Sequence, residues 1–202
     1  MSADWPLDFS TSLLLMLLGY VFGSVPFGLL VTRMAGLGDI RSIGSGNIGT
    51  TNVLRTGSKK LAALTLVLDA AKGTIPVLFA ARWGPAGAAL VGVAALLGHL
   101  FPIWLNFKGG KGVATFLGIM FGFAWPLGLI FIAAWIAAAF LTRYSSVGGI
   151  SATALTAAAC VAFYGGWPAT AAVFMGVIVI IAHRENIARL ARGEETKIKF
   201  GR

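Results

Sequence analysis

The chain has 202 residues, of which 57% are hydrophobic and 11% charged, with a mean hydropathy of +0.86; soluble domains carry about 25% charged residues. These values exclude a water-covered globule and a disordered chain, and a lone Cys160 excludes a disulfide scaffold. The remaining class is an integral membrane protein whose net charge of +9 is crowded into short connections.

The first apolar run, 13–31, is long enough to cross about 30 Å of hydrocarbon at 1.5 Å per residue. It is too long for a cleaved signal peptide, and Asp4 and Asp8 stand where a basic flank belongs. A polar stretch, 33–60, follows. Further runs cover 61–82, 86–105, 113–123, 126–141, 148–164 and 168–182, separated by breakers such as Gly84-Pro85, Trp125-Pro126 and Gly165-Gly166-Trp167-Pro168. The fourth run is short, a half-span or a tightly hairpinned helix. Continuous apolarity rather than alternation predicts helices, not a barrel. Without an internal repeat, a transporter of duplicated halves is disfavoured. Fourteen of the 16 Lys and Arg residues fall on one side of this layout, leaving Arg82 opposite and Lys72 within a span. The pattern predicts one all-α domain over 1–202 with seven transmembrane helices, the N-terminus outside and the C-terminus cytoplasmic.

Three polar elements share the basic side. In the first, Gly44 to Gly49 matches G-x-G-x-x-G and Asp69 lies 20 residues beyond Gly49, but no strand precedes it, so a dinucleotide fold is rejected. Its glycine amides, with Ser, Asn and Thr donors and Arg55 closing the loop, suit an anion; the alternative is a flexible polar loop. The second, Lys108-Gly109-Gly110-Lys111-Gly112, lacks Walker spacing, yet opens a helix as anion sites do; the alternative is a positive anchor. The third, His183-Arg184-Glu185-Asn186-Ile187, ends the last run, where His183 is a base, a phosphate ligand or an interfacial cap. Asp69 and Lys72, at i and i+3, are expected to neutralise each other, and His99 to be structural. Donors with no cluster of metal ligands point to phosphate recognition, and the apolar bundle to an acyl tail.

Together these segments resemble the PlsY family, the bacterial membrane glycerol-3-phosphate acyltransferases that use acyl phosphate. The resemblance rests on Ser45-Gly46-Asn47-Ile48-Gly49-Thr50-Thr51-Asn52-Val53-Leu54-Arg55, on Gly109-Gly110-Lys111-Gly112-Val113-Ala114-Thr115 and on His183-Arg184-Glu185-Asn186-Ile187. It extends to Gly23-Ser24-Val25-Pro26-Phe27-Gly28, the Asp69/Lys72 pair and Leu97-Gly98-His99. No Asp stands five positions after either histidine, so the H-x-x-x-x-D motif of acyl-CoA-type enzymes is absent. The resemblance implies transfer of a fatty acyl group from acyl phosphate to the 1-hydroxyl of sn-glycerol 3-phosphate, the first acylation of bacterial phospholipid synthesis. It implies catalytic roles for Ser45, Arg55, Lys111, His183 and Asn186, and substrate binding by Gly46, Asn47, Asn52, Gly109, Gly110, Gly112, Thr115 and Ser146, with Glu185 structural. It calls for no cofactor, metal or nucleic acid. The implied setting is a monomer in the bacterial inner membrane with a cytoplasmic-facing site, in transient contact with the enzyme that makes acyl phosphate.

Overall fold

A computed structural model describes residues 5–198; Lys199 and Arg202, two of the tail cations counted above, lie outside them. Helix α1 (Phe9–Ser24) begins where the Asp8 carboxylate accepts the Thr11 N–H at 2.9 Å. It stops at Val25-Pro26, because proline has no N–H and disfavours helical geometry at the residue before it. The first apolar run is therefore two helices, α1 and α2 (Phe27–Met34). The Val25 carbonyl accepts a hydrogen bond from Lys72 Nζ at 2.8 Å. A short helix, α3 (Thr50–Leu54), lies within the polar stretch. Helix α4 (Lys59–Ala80) is capped by Ser58 and turns through Ala81–Trp83 into α5 (Gly84–Leu100). After α6 (Val113–Phe123) come α7 (Trp125–Thr142), α8 (Ser145–Phe163), α9 (Gly166–Ala182) and α10 (Arg184–Ala191).

Each apolar run is thus helical, and no strand occurs among the described residues. Among the described residues four helical stretches are long and apolar enough to cross a membrane: Phe9–Met34, Lys59–Leu105, Trp125–Thr142 and Ser145–Phe163. The second holds both α4 and α5, which pack on each other. Counting α9 with α10, bent by 54° between them, gives a fifth. Helix α6 has 11 residues, roughly 16 Å at 1.5 Å per residue, about half the hydrocarbon thickness.

Helix α5 is the hub, with α1, α4, α6 and α9 around it, while α6 also lies along α4 and α7 along α8. Small residues allow these approaches. A Cβ on Gly23 would strike the Ala95 carbonyl of α5, and one on Gly118 the Ala70 carbonyl of α4. Large side chains such as Phe9, Ile136, Phe163 and Ile181 remain exposed on the outer faces, as hydrocarbon solvent permits. Inside the bundle Lys72 Nζ lies 2.7 Å from Asp69 Oδ1, as the i, i+3 spacing predicts, and His99 Nδ1 lies 4.0 Å from the same oxygen. All three side chains are buried.

Contacts between the loops fall into two groups, one at each end of the bundle. At one, the rings of Trp5 and Trp167 meet edge to face at 4.9 Å. At the other, Tyr20 Oη donates to Phe101 O at 2.7 Å, Thr51 and Ser145 hydroxyls meet at 2.9 Å, and Ile198 N–H donates to Arg143 O at 2.6 Å. The three polar elements and the tail therefore share that end.

Candidate active site

The first loop is a built structure, not a flexible connection. Ile40, Ile48 and Val53 pack with Leu29 and Ala62 in a small core beneath it. Asp39 caps the turn over Ile40–Ser42 and binds Arg33 and Arg41, whose guanidinium and amide hydrogen bonds hold its carboxyl well below the usual range. Asn52, 1% exposed, donates to Ile40 O at 2.7 Å and Ile43 O at 3.2 Å. Its Oδ1 accepts from Ser45 N–H at 3.1 Å and Arg55 Nη1 at 3.4 Å. Asn47 Oδ1 accepts from Gly49 N–H at 2.8 Å. Asn52 thus spends both its polar atoms on the loop itself, and Asn47 its carbonyl oxygen. Ser45, Gly46 and Arg55 are exposed at its surface, and Arg55 lies over Gly44, whose φ of +57° suits glycine.

The second loop rests on the end of α5. Gly109 N–H donates to Leu100 O at 3.0 Å and Gly110 N–H to His99 O at 3.1 Å. A Cβ on Gly110 would strike His99 Nε2, and one on Gly109 the His99 carbonyl. Neither amide points to an external anion; these glycines let the loop lie on His99. Gly112, at φ +86°, turns the chain into α6, whose N-terminus no side chain caps and whose first intrahelical donor is Phe116 N–H. Thr115 is wholly buried with no partner for Oγ1. Lys111 reaches across instead, its Nζ donating to Asn186 Oδ1.

In the third element His183 closes α9 and is 3% exposed, its Nδ1 lying 2.8 Å from Val179 O. A carbonyl can only accept, so Nδ1 carries the proton and Nε2 of the neutral ring is the acceptor. Burial lowers the His183 pKa, the Lys111 charge adds to that, and the Val179 bond and Glu195 oppose it. Asn186 stands one turn further on. Its Nδ2 donates to Glu195 Oε1 at 2.6 Å, an oxygen that also accepts Ser146 Oγ at 2.8 Å, while Arg189 Nε donates to Oε2 at 2.7 Å. Burial acts to raise the Glu195 carboxyl, but the bonds from Asn186, Ser146 and Arg189 outweigh it and hold it low. Burial, and then Arg189, depress the Lys111 pKa; Glu195 and Glu185 oppose this and Arg55 adds to it.

Of the residues singled out in the sequence, Lys111, Asn186 and Ser146 meet in one network, with His183 beside it and Arg55 near enough for its charge to act on Lys111. Asn47, Asn52, Gly109, Gly110, Gly112 and Thr115 serve the loops and the packing. Glu195 and Arg189 were missed; the available signal was a pair of acids, Glu194-Glu195, in an otherwise basic tail. Among the described residues no cluster of His, Cys, Asp and Glu is disposed to hold a metal ion.

Comparison with known proteins meets this geometry. The profile of a family described as glycerol-3-phosphate acyltransferase matches residues 13–193. The glycerol-3-phosphate acyltransferase of Brucella anthropi is 57% identical over 186 residues, 91% of each chain, and that of Brucella ovis 58% over the same length and shares. A crystal structure of PlsY, an integral membrane glycerol 3-phosphate acyltransferase, in its glycerol 3-phosphate form superposes with a TM-score of 0.88 at 38% identity, covering 94% of this chain and 96% of that one. Its lysophosphatidic acid form gives 0.86 at 37%, covering 94% and 95%. The chain belongs to the PlsY family of membrane glycerol-3-phosphate acyltransferases.

Proposed function

We propose that this acyltransferase takes its acyl group from acyl phosphate and places it on the 1-hydroxyl of sn-glycerol 3-phosphate, releasing 1-acyl-sn-glycerol 3-phosphate and inorganic phosphate. The observation that carries the reading is the contact of Lys111 with Asn186 beside Arg55, His183 and Ser146, which gathers cations and donors from separate loops at one end of an apolar bundle. The substrate and product forms of the solved relative are consistent with it.

Acyl phosphate is a mixed anhydride. The glycerol oxygen attacks the acyl carbonyl carbon, the carbon–oxygen bond to phosphate breaks, and phosphate leaves with the electron pair. So reactive a donor needs no covalent enzyme intermediate. The difficulty is to hold two anions together, and Arg55 and Lys111 offset their repulsion. The uncapped N-terminus of α6 and Ser45 supply donors for charge developing on the carbonyl oxygen. His183 Nε2 accepts a hydrogen bond from the neighbouring glycerol 2-hydroxyl and so orients the substrate, while a substrate phosphate oxygen takes the proton of the attacking 1-hydroxyl. The acyl chain stays among the helices or in lipid. In this reading the seven helical runs cross or enter the bilayer with the N-terminus outside, and the basic end faces the cytoplasm at the inner membrane. The protein works as a monomer, receiving acyl phosphate from a transient partner enzyme.

The test is acyl transfer by purified protein given glycerol 3-phosphate and either acyl phosphate or acyl-CoA. Product with acyl phosphate and none above background with acyl-CoA is expected. Comparable turnover with acyl-CoA overturns the donor assignment.

A further inference from the structure

We propose that Glu195 is a positioning residue of the acyl-transfer site: its carboxylate fixes the amide orientation of Asn186, and through that amide the ammonium of Lys111, while drawing Ser146 and Arg189 to the same point. The proposal rests on the function proposed above.

An asparagine side chain has two unlike ends. Its oxygen only accepts and its nitrogen only donates, so a flipped amide would set NH2 against an ammonium and oxygen against a carboxylate. With Lys111 at Oδ1 and Glu195 at Nδ2, only one orientation of Asn186 is satisfied. Glu195 thus acts on Lys111 without touching it. Its side chain is 8% exposed, and charge-assisted bonds in so dry a place are stronger than at a surface. Three donors converge on it from two helices: Ser146 at the start of α8, Asn186 and Arg189 one turn apart on α10. The backbone keeps it there, since Glu194 N–H donates to Arg189 O at 2.8 Å and Ile198 N–H to Arg143 O at 2.6 Å. The tail is therefore a strap that ties α10 and the start of α8 to the lysine loop.

Charge gives a second consequence. The groups acting on Lys111 are the cations Arg189 and Arg55, the acids Glu195 and Glu185, and His183 alongside. Burial and the cations disfavour the ammonium, and Glu195 favours it. Removing the carboxylate lowers the pH at which Lys111 loses its proton.

The experiment compares full-length Glu195→Gln and Glu195→Asp with wild type and with Glu194→Gln, an exposed acid paired with Arg192. Two readings are taken: steady-state rates against glycerol 3-phosphate across pH, and the pH dependence of Lys111 labelling by an amine-modifying reagent, followed by mass spectrometry. Glu195→Gln is expected to lower kcat/KM roughly ten- to a hundredfold. It should move both the alkaline limb and the Lys111 labelling midpoint to lower pH. Glu195→Asp should restore the midpoint, and Glu194→Gln should match wild type. A lower KM for glycerol 3-phosphate with unimpaired kcat overturns the proposal, because the carboxylate would then be a competitor for substrate phosphate. So does an unmoved labelling midpoint, which reduces Glu195 to a fold contact. If wild type fails to acylate glycerol 3-phosphate while the midpoint still shifts, the functional reading fails and the positioning role stands.

Discussion

His183 carries its proton on Nδ1 because Val179 O demands a donor, which leaves Nε2 free to accept. With its pKa lowered, the ring stays neutral through neutral pH and becomes charged only under more acid conditions. The role proposed for it is orientation rather than proton abstraction, so His183→Gln should retain measurable activity, with a pH profile set by ionisation of the substrate phosphates. A loss of about four orders of magnitude with glycerol 3-phosphate binding intact would make it the general base instead. Asn52 has a structural part that residue type alone does not announce. Beside glycines and an arginine it looks like a ligand donor, yet it makes four hydrogen bonds within its own loop. Asn52→Ala should therefore lower thermal stability as well as kcat, whereas unaltered stability would return it to the substrate. Glu195 was illegible for the opposite reason: its partners Ser146, Asn186 and Arg189 lie 49, 9 and 6 residues away, and no local spacing announces them.

Elements were more legible than contacts. Continuous apolar runs and Gly-Pro breakers located the helices, because hydrophobic run length and missing backbone donors act locally. The break at Val25-Pro26 was hidden, since both sides of it are apolar. The carbonyl it frees joins a buried ion pair: Lys72 satisfies the Val25 carbonyl and Asp69 at once. Breaking a buried pair on one side typically costs about 3–5 kcal/mol, whereas replacing both partners with apolar or neutral groups is far milder. Lys72→Met should thus lower the thermal midpoint more than the Asp69→Asn, Lys72→Met double variant does. Equal losses would mean the pair does not act as a unit. The loop over His99 makes a second demand on shape. Gly110→Ala puts a methyl group into the imidazole, which should displace Lys111 and reduce activity more than it reduces folded yield.

At the scale of the whole molecule, the sequence placed nearly all its cations on one side, and the structure brings the loops that carry them to one end. A reporter fused at the C-terminus should behave as cytoplasmic and a tag at the N-terminus as external; a cytoplasmic N-terminal tag would contradict the seven-span arrangement. Charge asymmetry of this kind has two uses, topology and substrate, and only particular cations serve the second. Lys111 belongs to the polar cluster and Arg55 lies near enough for its charge to act on Lys111, whereas Lys59 and Lys60 stand exposed at the start of α4. The most direct measurement compares acyl transfer to glycerol 3-phosphate by Arg55→Ala, Lys111→Ala, Lys59→Ala and Lys60→Ala proteins of equal folded yield. The first two should each lose roughly ten- to a hundredfold, the value of a charge-assisted contact, and the last two should stay close to wild type. Equal losses at all four positions would contradict the account and leave only bulk charge.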